Sequence, residues 1–349
     1  MRQFRIAFFF LAALLCSSNL FAQTFSIKDK DCNVLFFNVL DVNKKTVELI
    51  YAPTIDSGSY VQPKGTLTIP KSVLFDGKYY DVISLGSNAL KGMNELHTVI
   101  LPSTLLKICD NAFLDCTSLE VIQMPAHNIK ISKTAFTSCV SLKDVKFGAN
   151  WTLIDCHPFS DCKSIETLNI PGKVSTVLGL NELQSLSYIS VDETNESLAS
   201  VAGMLFNKSK SELLYCPRNY SLKVIVPEGT ELIRTGAMEN CLWLESIQLP
   251  STLKTLSFLE FSNMRNLKSL TILSDKPILN SIIDGKKGFA LYMSSNVNFY
   301  VKMSSLREYQ DSTLNEEGVY VDVYTGKTRK CKRVNLIKIK NITTVKRRS

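Results

Sequence analysis

Histidine is nearly absent from this sequence: 349 residues hold three, His97, His127 and His157. General acid–base chemistry leans on histidine more than on any other side chain, so three copies scattered over 61 positions argue against it. No G-x-x-x-x-G-K-[ST] phosphate loop and no calcium loop can be found. No two cysteines stand closer than Cys156 and Cys162, which excludes the tight pairs of a structural zinc site. Beyond the first residues, no apolar run approaches the ~20 residues needed to cross a bilayer. Acidic residues are missing altogether from 326 to 349, where ten basic ones collect. The net charge of +8 therefore belongs to the end of the chain, and the body from 23 to 325 is mildly acidic. A basic balance confined in this way gives no stripe for a polyanion to follow, so no nucleic-acid partner is expected. The basic segment reads as a solvated tail, with contact to an anionic surface as the alternative.

What is present begins with an export signal. Arg2 and Arg5 precede an apolar run from Ile6 to Leu15, and small and polar residues follow to Ala22, the three-part plan of a cleaved leader. Cleavage is expected after Ala22. Cys16 follows Leu15 rather than a small residue, so a lipoprotein is not expected. The mature chain should be secreted or held at the cell surface.

The dominant feature is a repeat. "NAFLDCTSLEVIQMP", ending at Pro125, returns as "KTAFTSCVSLKDVKFG" and again as "CHPFSDCKSIETLNIP". Phe113, Phe136 and Phe159, then Cys116, Cys139 and Cys162, then Leu119, Leu142 and Ile165, then Pro125, Gly148 and Pro171 all advance by a step of 23. The same frame lands on Leu90 and Met93 upstream, and on Met238 and Cys241, then Phe261 and Met264, downstream. It breaks between Pro171 and Pro227, where one coil is two residues short and "GMLFNKSKSELLYCP" reads as an added hairpin.

Each coil ends in L-x-x-L-x-[LI]-P, an alternation that marks a half-buried strand. One coil cannot bury its own apolar face, but stacked coils bury a continuous core. This predicts an α/β-type or mainly β, right-handed solenoid of about seven or eight coils with a parallel strand face. The expected divisions are a signal at 1–22, an N-terminal β cap at 23–82, repeats over 83–273 with the hairpin insertion at about 203–217, a C-terminal cap at 274–325 and the basic tail at 326–349. A monomer is expected.

The phrase A-F-x-x-C-x-x-L-x-x-I-x-x-P, here "AFLDCTSLEVIQMP", resembles the BspA-like leucine-rich repeat of bacterial secreted and surface proteins. The resemblance extends over about 60–310. It includes "GTLTIPKSVLFDGKYYDVISLGSNAL", similar to that family's first capping hairpin, and "NFYVKMSSLREYQDS", similar to its final strand and short helix. Leu90 and Met238 depart from the phrase by lacking the phenylalanine. The resemblance implies adhesion or recognition without catalysis or cofactor, and names no ligand.

The cysteines themselves are ambiguous. Matched residues of stacked strands lie ~4.8 Å apart, within the Cα range of a disulfide, but three in one column cannot all pair. Met93 and Met264 fill the same slot, which points to a buried apolar position that free cysteine suits well. A hydrolase built on Cys139 and His127 is the remote alternative, since a ladder thiol lacks the electropositive setting of a nucleophile. Recognition is left to the outward strand positions. These are Thr98, Ile100, Val121, Gln123, Asp144, Lys146, Thr167, Asn169, Tyr188, Ser190, Ser246, Gln248, Ser269 and Thr271. They form a mostly neutral hydrogen-bonding wall suited to a protein or glycan, with Tyr188 the strongest single candidate because exposed aromatics contribute heavily at interfaces. A spacer role in the cell envelope is the alternative from a different class.

Overall fold

The computed structural model describes residues 23–29, 33–51, 62–256, 264–276, 278, 281–283, 286–288, 297–301, 318–322, 328–331 and 336–338. The expected leader with Cys16, residue Cys32, and the short helix expected after Val301 lie outside the described residues. The fold is a β-solenoid of about eight turns with a period near 23 residues and almost no helix. It divides into two compact units, 1–185 and 186–349.

In the first unit, strands Thr24–Lys28, Val34–Asp41 and Thr46–Ile50 pair antiparallel in order. Phe25 packs between the rings of Phe37 and Phe75, with centroids 5.8 and 4.4 Å away. Strands Ser72–Phe75 and Lys78–Leu85 form a hairpin whose two turn residues, Asp76 and Gly77, have φ of 46° and 69°. Two positive φ values in a two-residue loop make a type I′ turn, which the Asp-Gly pair favours.

Coils then follow. Strands Gly65–Thr68, Leu96–Ile100, Val121–Gln123 and Asp144–Lys146 pair in parallel. Thr98 stands opposite Val121, which stands opposite Asp144, so the register advances by the sequence period. On the opposite wall Lys107–Ile108 and Lys130–Ile131 pair in the same step, as do Leu153–Asp155 and Thr176–Leu178.

The turn joining the two walls explains the repeated phrase. Gly92, Asp115 and Ser138 occupy one column with φ between 60° and 71°, a left-handed position that small polar residues and glycine tolerate. Each positions the next residue inward. Cys116, Cys139 and Cys162 are 0–1% exposed, and their thiols donate to the carbonyls of Leu90, Phe113 and Phe136 one coil back. Phe113, Phe136 and Phe159 stack in a column with 4.9 Å between successive centroids. One coil closes with Gly148 rather than proline because a Cβ there would lie 2.2 Å from the Pro125 carbonyl oxygen. The Trp151 indole N–H donates to that same oxygen at 2.9 Å.

The second unit interrupts this pattern. Strands Leu198–Val201, Met204–Asn207 and Glu212–Tyr215 form an antiparallel meander. The last of them rejoins the solenoid by pairing in parallel with Leu232–Ile233. A parallel strand wall of this unit runs through Lys223–Ile225, Ser246–Leu249, Ser269–Ile272, Asn298–Val301 and Leu336–Lys338. A separate antiparallel sheet contains Lys286–Gly288, Ser281–Ile283, Gly318–Asp322 and Thr328–Cys331. Two strands thus fall in the segment expected to be a solvated tail. The density of basic residues masked this, yet Leu336 and Ile337 pair opposite Phe299 and Tyr300 in the strand wall.

Candidate functional site

The outward positions of the first unit lie on short, tightly registered strands, and most of their neighbours inward are fully buried. Leu96, Val99, Ile122 and Leu142 are each 0% exposed, so the strands are held from behind and the alternate side chains project outward. Gln123, Lys146, Thr167 and Asn169 are exposed, while Thr98, Ile100, Val121 and Asp144 are half-buried. Asp144, Thr167 and Asn169 come together with Lys143, Ser164 and Glu166 around a depression of about 520 Å³. Its rim carries two carboxylates, an ammonium, an amide and two hydroxyls.

Several of these groups are fixed in place. Lys143 Nζ donates to Glu120 Oε2 at 2.5 Å, and Lys146 pairs with Asp144 at 3.6 Å. The Ser164 hydroxyl donates to the Val140 carbonyl at 2.7 Å. The bond from Lys143 and its charge hold the Glu120 carboxyl below its ordinary pKa, with a smaller contribution from His97, whose Nδ1 is 3.8 Å away. In each unit one ion pair links the residues just before neighbouring strands: Glu120 with Lys143 in the first and Glu245 with Lys268 in the second. The signal was available, because both pairs are 23 residues apart with opposite charges.

The thiols are arranged against nucleophilic chemistry. Burial pushes Cys116 and Cys162 up to about 12, the latter helped by the adjacent Asp161. Burial raises Cys139 further still, and the neighbouring Cys116 and Cys162 thiols add to the effect. A reactive thiolate needs the opposite shift. His127 Nε2 lies 3.0 Å from the Leu105 carbonyl oxygen, and His157 Nδ1 lies 2.5 Å from Asp155 Oδ1. The first unit's recognition candidates therefore offer hydrogen bonds and charge, with no base poised beside a nucleophile among the groups described.

In the second unit Tyr188 is exposed, while Ser190, Ser246, Gln248, Ser269 and Thr271 are half-buried. The repeat frame one period before Ser246 and Gln248 gives Lys223 and Ile225, which the sequence reading passed over. Ile225 is 52% exposed. Leu222 and Trp243, just before strands Lys223–Ile225 and Ser246–Leu249, are exposed as well. Among the described residues, no three His, Cys, Asp or Glu side chains converge as a metal site. Among them, no helix is long and apolar enough to cross a membrane.

Parallel strands at a 23-residue step, backed by a cysteine and phenylalanine ladder, define a leucine-rich-repeat solenoid. The profile of the BspA type leucine rich repeat region matches in six copies over residues 78–180 and 210–310, more than half of the chain. The chain belongs to that family. Its members are bacterial surface or secreted proteins and typically non-catalytic. No curated protein matches the sequence. Among solved structures, the chain is similar to the pneumococcal vaccine antigen PcpA, with 20% identity over 90% of this chain and 99% of that one and a TM-score of 0.48. It is also similar to a leucine rich cell surface protein of Faecalibacterium prausnitzii, with 18% identity, 84% and 98% coverage and a TM-score of 0.37. A leucine-rich repeat protein of Bacteroides ovatus shares 17% identity over 77% of each chain, with a TM-score of 0.39.

Proposed function

We propose that this chain is a non-catalytic recognition protein, exported to the cell surface or beyond, that holds a protein or glycan on the strand-lined face of its first unit. The observation that carries this reading is the depression rimmed by Lys143, Asp144, Ser164, Glu166, Thr167 and Asn169. It joins donors and acceptors of both signs on a rigid backbone, and preorganised groups lose little entropy when they engage a partner. The mixed charge favours a neutral or zwitterionic surface over a polyanion. Family membership supports the same reading through the surface or secreted character of its members.

The test is an array of purified extracellular proteins and glycans probed with the full mature chain and with the variant Gln123→Ala/Asp144→Ala/Asn169→Ala. Capture by the parent chain and a loss of at least about tenfold in the variant, equivalent to about 1.4 kcal/mol, is the expected result. Unchanged capture would remove this face from consideration. The spacer reading draws support from the ion pairs, whose charges are satisfied within the chain; an array with no captured component would favour it.

A further inference from the structure

At the first outward strand position, other coils carry Val121, Asp144, Thr167, Lys223, Ser246 and Ser269, whereas the coil that opens the second unit carries Tyr188. The fold does not demand an aromatic there. Tyr188 is 48% exposed, yet its ring is supported from one side. A Cβ added at Gly203 would lie 2.5 Å from Tyr188 Cδ2, 2.9 Å from Cε2 and 3.2 Å from Cγ, so the ring rests directly on the glycine backbone.

That contact depends on the inserted hairpin. Ala202 and Gly203 connect strands Leu198–Val201 and Met204–Asn207 with φ of 51° and 84°, a type I′ turn. The turn is bonded to the strand carrying the tyrosine. The Ile189 N–H donates to the Gly203 carbonyl at 3.0 Å, and the Ser200 hydroxyl donates to the Ile189 carbonyl at 2.6 Å. Tyr220 stands nearby, packed against the buried core. Its pKa is raised by burial first, then by Cys216 and by the Tyr188 phenol.

We infer that Tyr188, seated on Gly203, is a stacking platform for a pyranose ring of a neutral oligosaccharide. A ring held from behind and open in front needs little ordering when it binds, and tyrosine supplies amphipathic contact at low entropic cost. A pyranose presents a flat face of C–H groups edged by hydroxyls. It matches one aromatic face with phenol oxygens nearby. A folded protein partner buries about 800 Å² on each side, several times what one tyrosine supplies. The saccharide is therefore the occupant that fits a single platform.

The experiment uses the full mature chain and a panel of neutral hexasaccharides: α-1,4-glucose, β-1,4-glucose, β-1,4-mannose and β-1,4-galactose. Saturation-transfer NMR reads the contact, and calorimetry the affinity. At least one oligosaccharide should bind, with the strongest saturation on ring C–H protons. Tyr188→Ala should weaken binding about tenfold or more, whereas Tyr188→Phe, which keeps the ring face, should stay within about threefold. Thermal melts of both variants separate lost binding from lost folding. Lys44→Ala, an exposed substitution in the N-terminal cap, should retain the oligosaccharide. No binding by any panel member, undiminished binding by a folded Tyr188→Ala chain, or equal losses in Tyr188→Phe and Tyr188→Ala would each overturn the inference.

Discussion

The first unit repeats itself and the second interrupts itself, and their chemistry differs accordingly. From Phe113 to Phe159 the first unit stacks identical residues at a uniform step, so each buried ring meets its own kind on the next coil. Of its outward positions, Asp144, Thr167 and Asn169 gather around a polar depression. In the second unit Met238 replaces the phenylalanine, a meander is inserted, and Tyr188 and Ile225 stand exposed at outward strand positions. Regular stacking builds a uniform wall. Departures from the repeat supply individual features, as Gly203 does for Tyr188.

The comparison is broken most severely in the aromatic column. Phe136 has a ring on each side, so Phe136→Ala should cost about 3–5 kcal/mol from lost burial and the cavity left behind. Met238→Ala removes a buried side chain without aromatic stacking and should cost less, about 2–4 kcal/mol on the same scale. Urea unfolding of the two variants measures the difference. A smaller loss for Phe136 would deny the stacked column its extra contribution.

The glycines come next. Gly148→Ala forces a Cβ against the Pro125 carbonyl backbone and should cost about 2–3 kcal/mol, within the usual range for overpacking. Gly229 has φ of 92° but open space around it, so Gly229→Ala should cost about 1 kcal/mol from backbone strain alone. Thermal denaturation with matched calorimetry would rank them.

How much of this was legible is clear from particular residues. Cys116, Cys139 and Cys162 declared their buried column because their spacing was constant and Met93 and Met264 shared the slot. Tyr188 could be placed outward because the alternation of the strand survives a coil two residues short. Its partner Gly203 could not be found, since contact across an insertion has no fixed spacing. The ion pair was written in Glu120 and Lys143, but charges are usually read along a strand rather than across coils. The strands in the basic segment were hidden because charge density outweighed a short apolar alternation.

Alkaline titration gives a graded effect. The thiols of Cys116 and Cys162 have folded pKa values raised to about 12 against a free-thiol value near 9. Their contribution is complete below the unfolded pKa, and stability should fall as pH rises from ~9 to ~12, where the unfolded chain has lost protons that the folded chain keeps. Denaturant midpoints across that window should decline, less steeply for Cys116→Ala/Cys162→Ala than for the parent. A flat profile in the parent chain would contradict the burial of these thiols. The smallest effect belongs to the ion pairs: Lys143→Ala and Lys268→Ala should barely change the melting temperature, because exposed pairs contribute little. A large drop in either would mark that pair as structural rather than superficial.

The most direct measurement of the recognition claim is carbodiimide labelling of surface carboxylates in the full mature chain, with and without its captured ligand, read by peptide mass spectrometry. Asp144 and Glu166, on the rim of the first-unit depression, should lose labelling when ligand is bound, while Glu228 and Glu239 of the second unit should label as before. Equal labelling of Asp144 and Glu166 in the free and bound chain, with protection confined to the second unit, would contradict it.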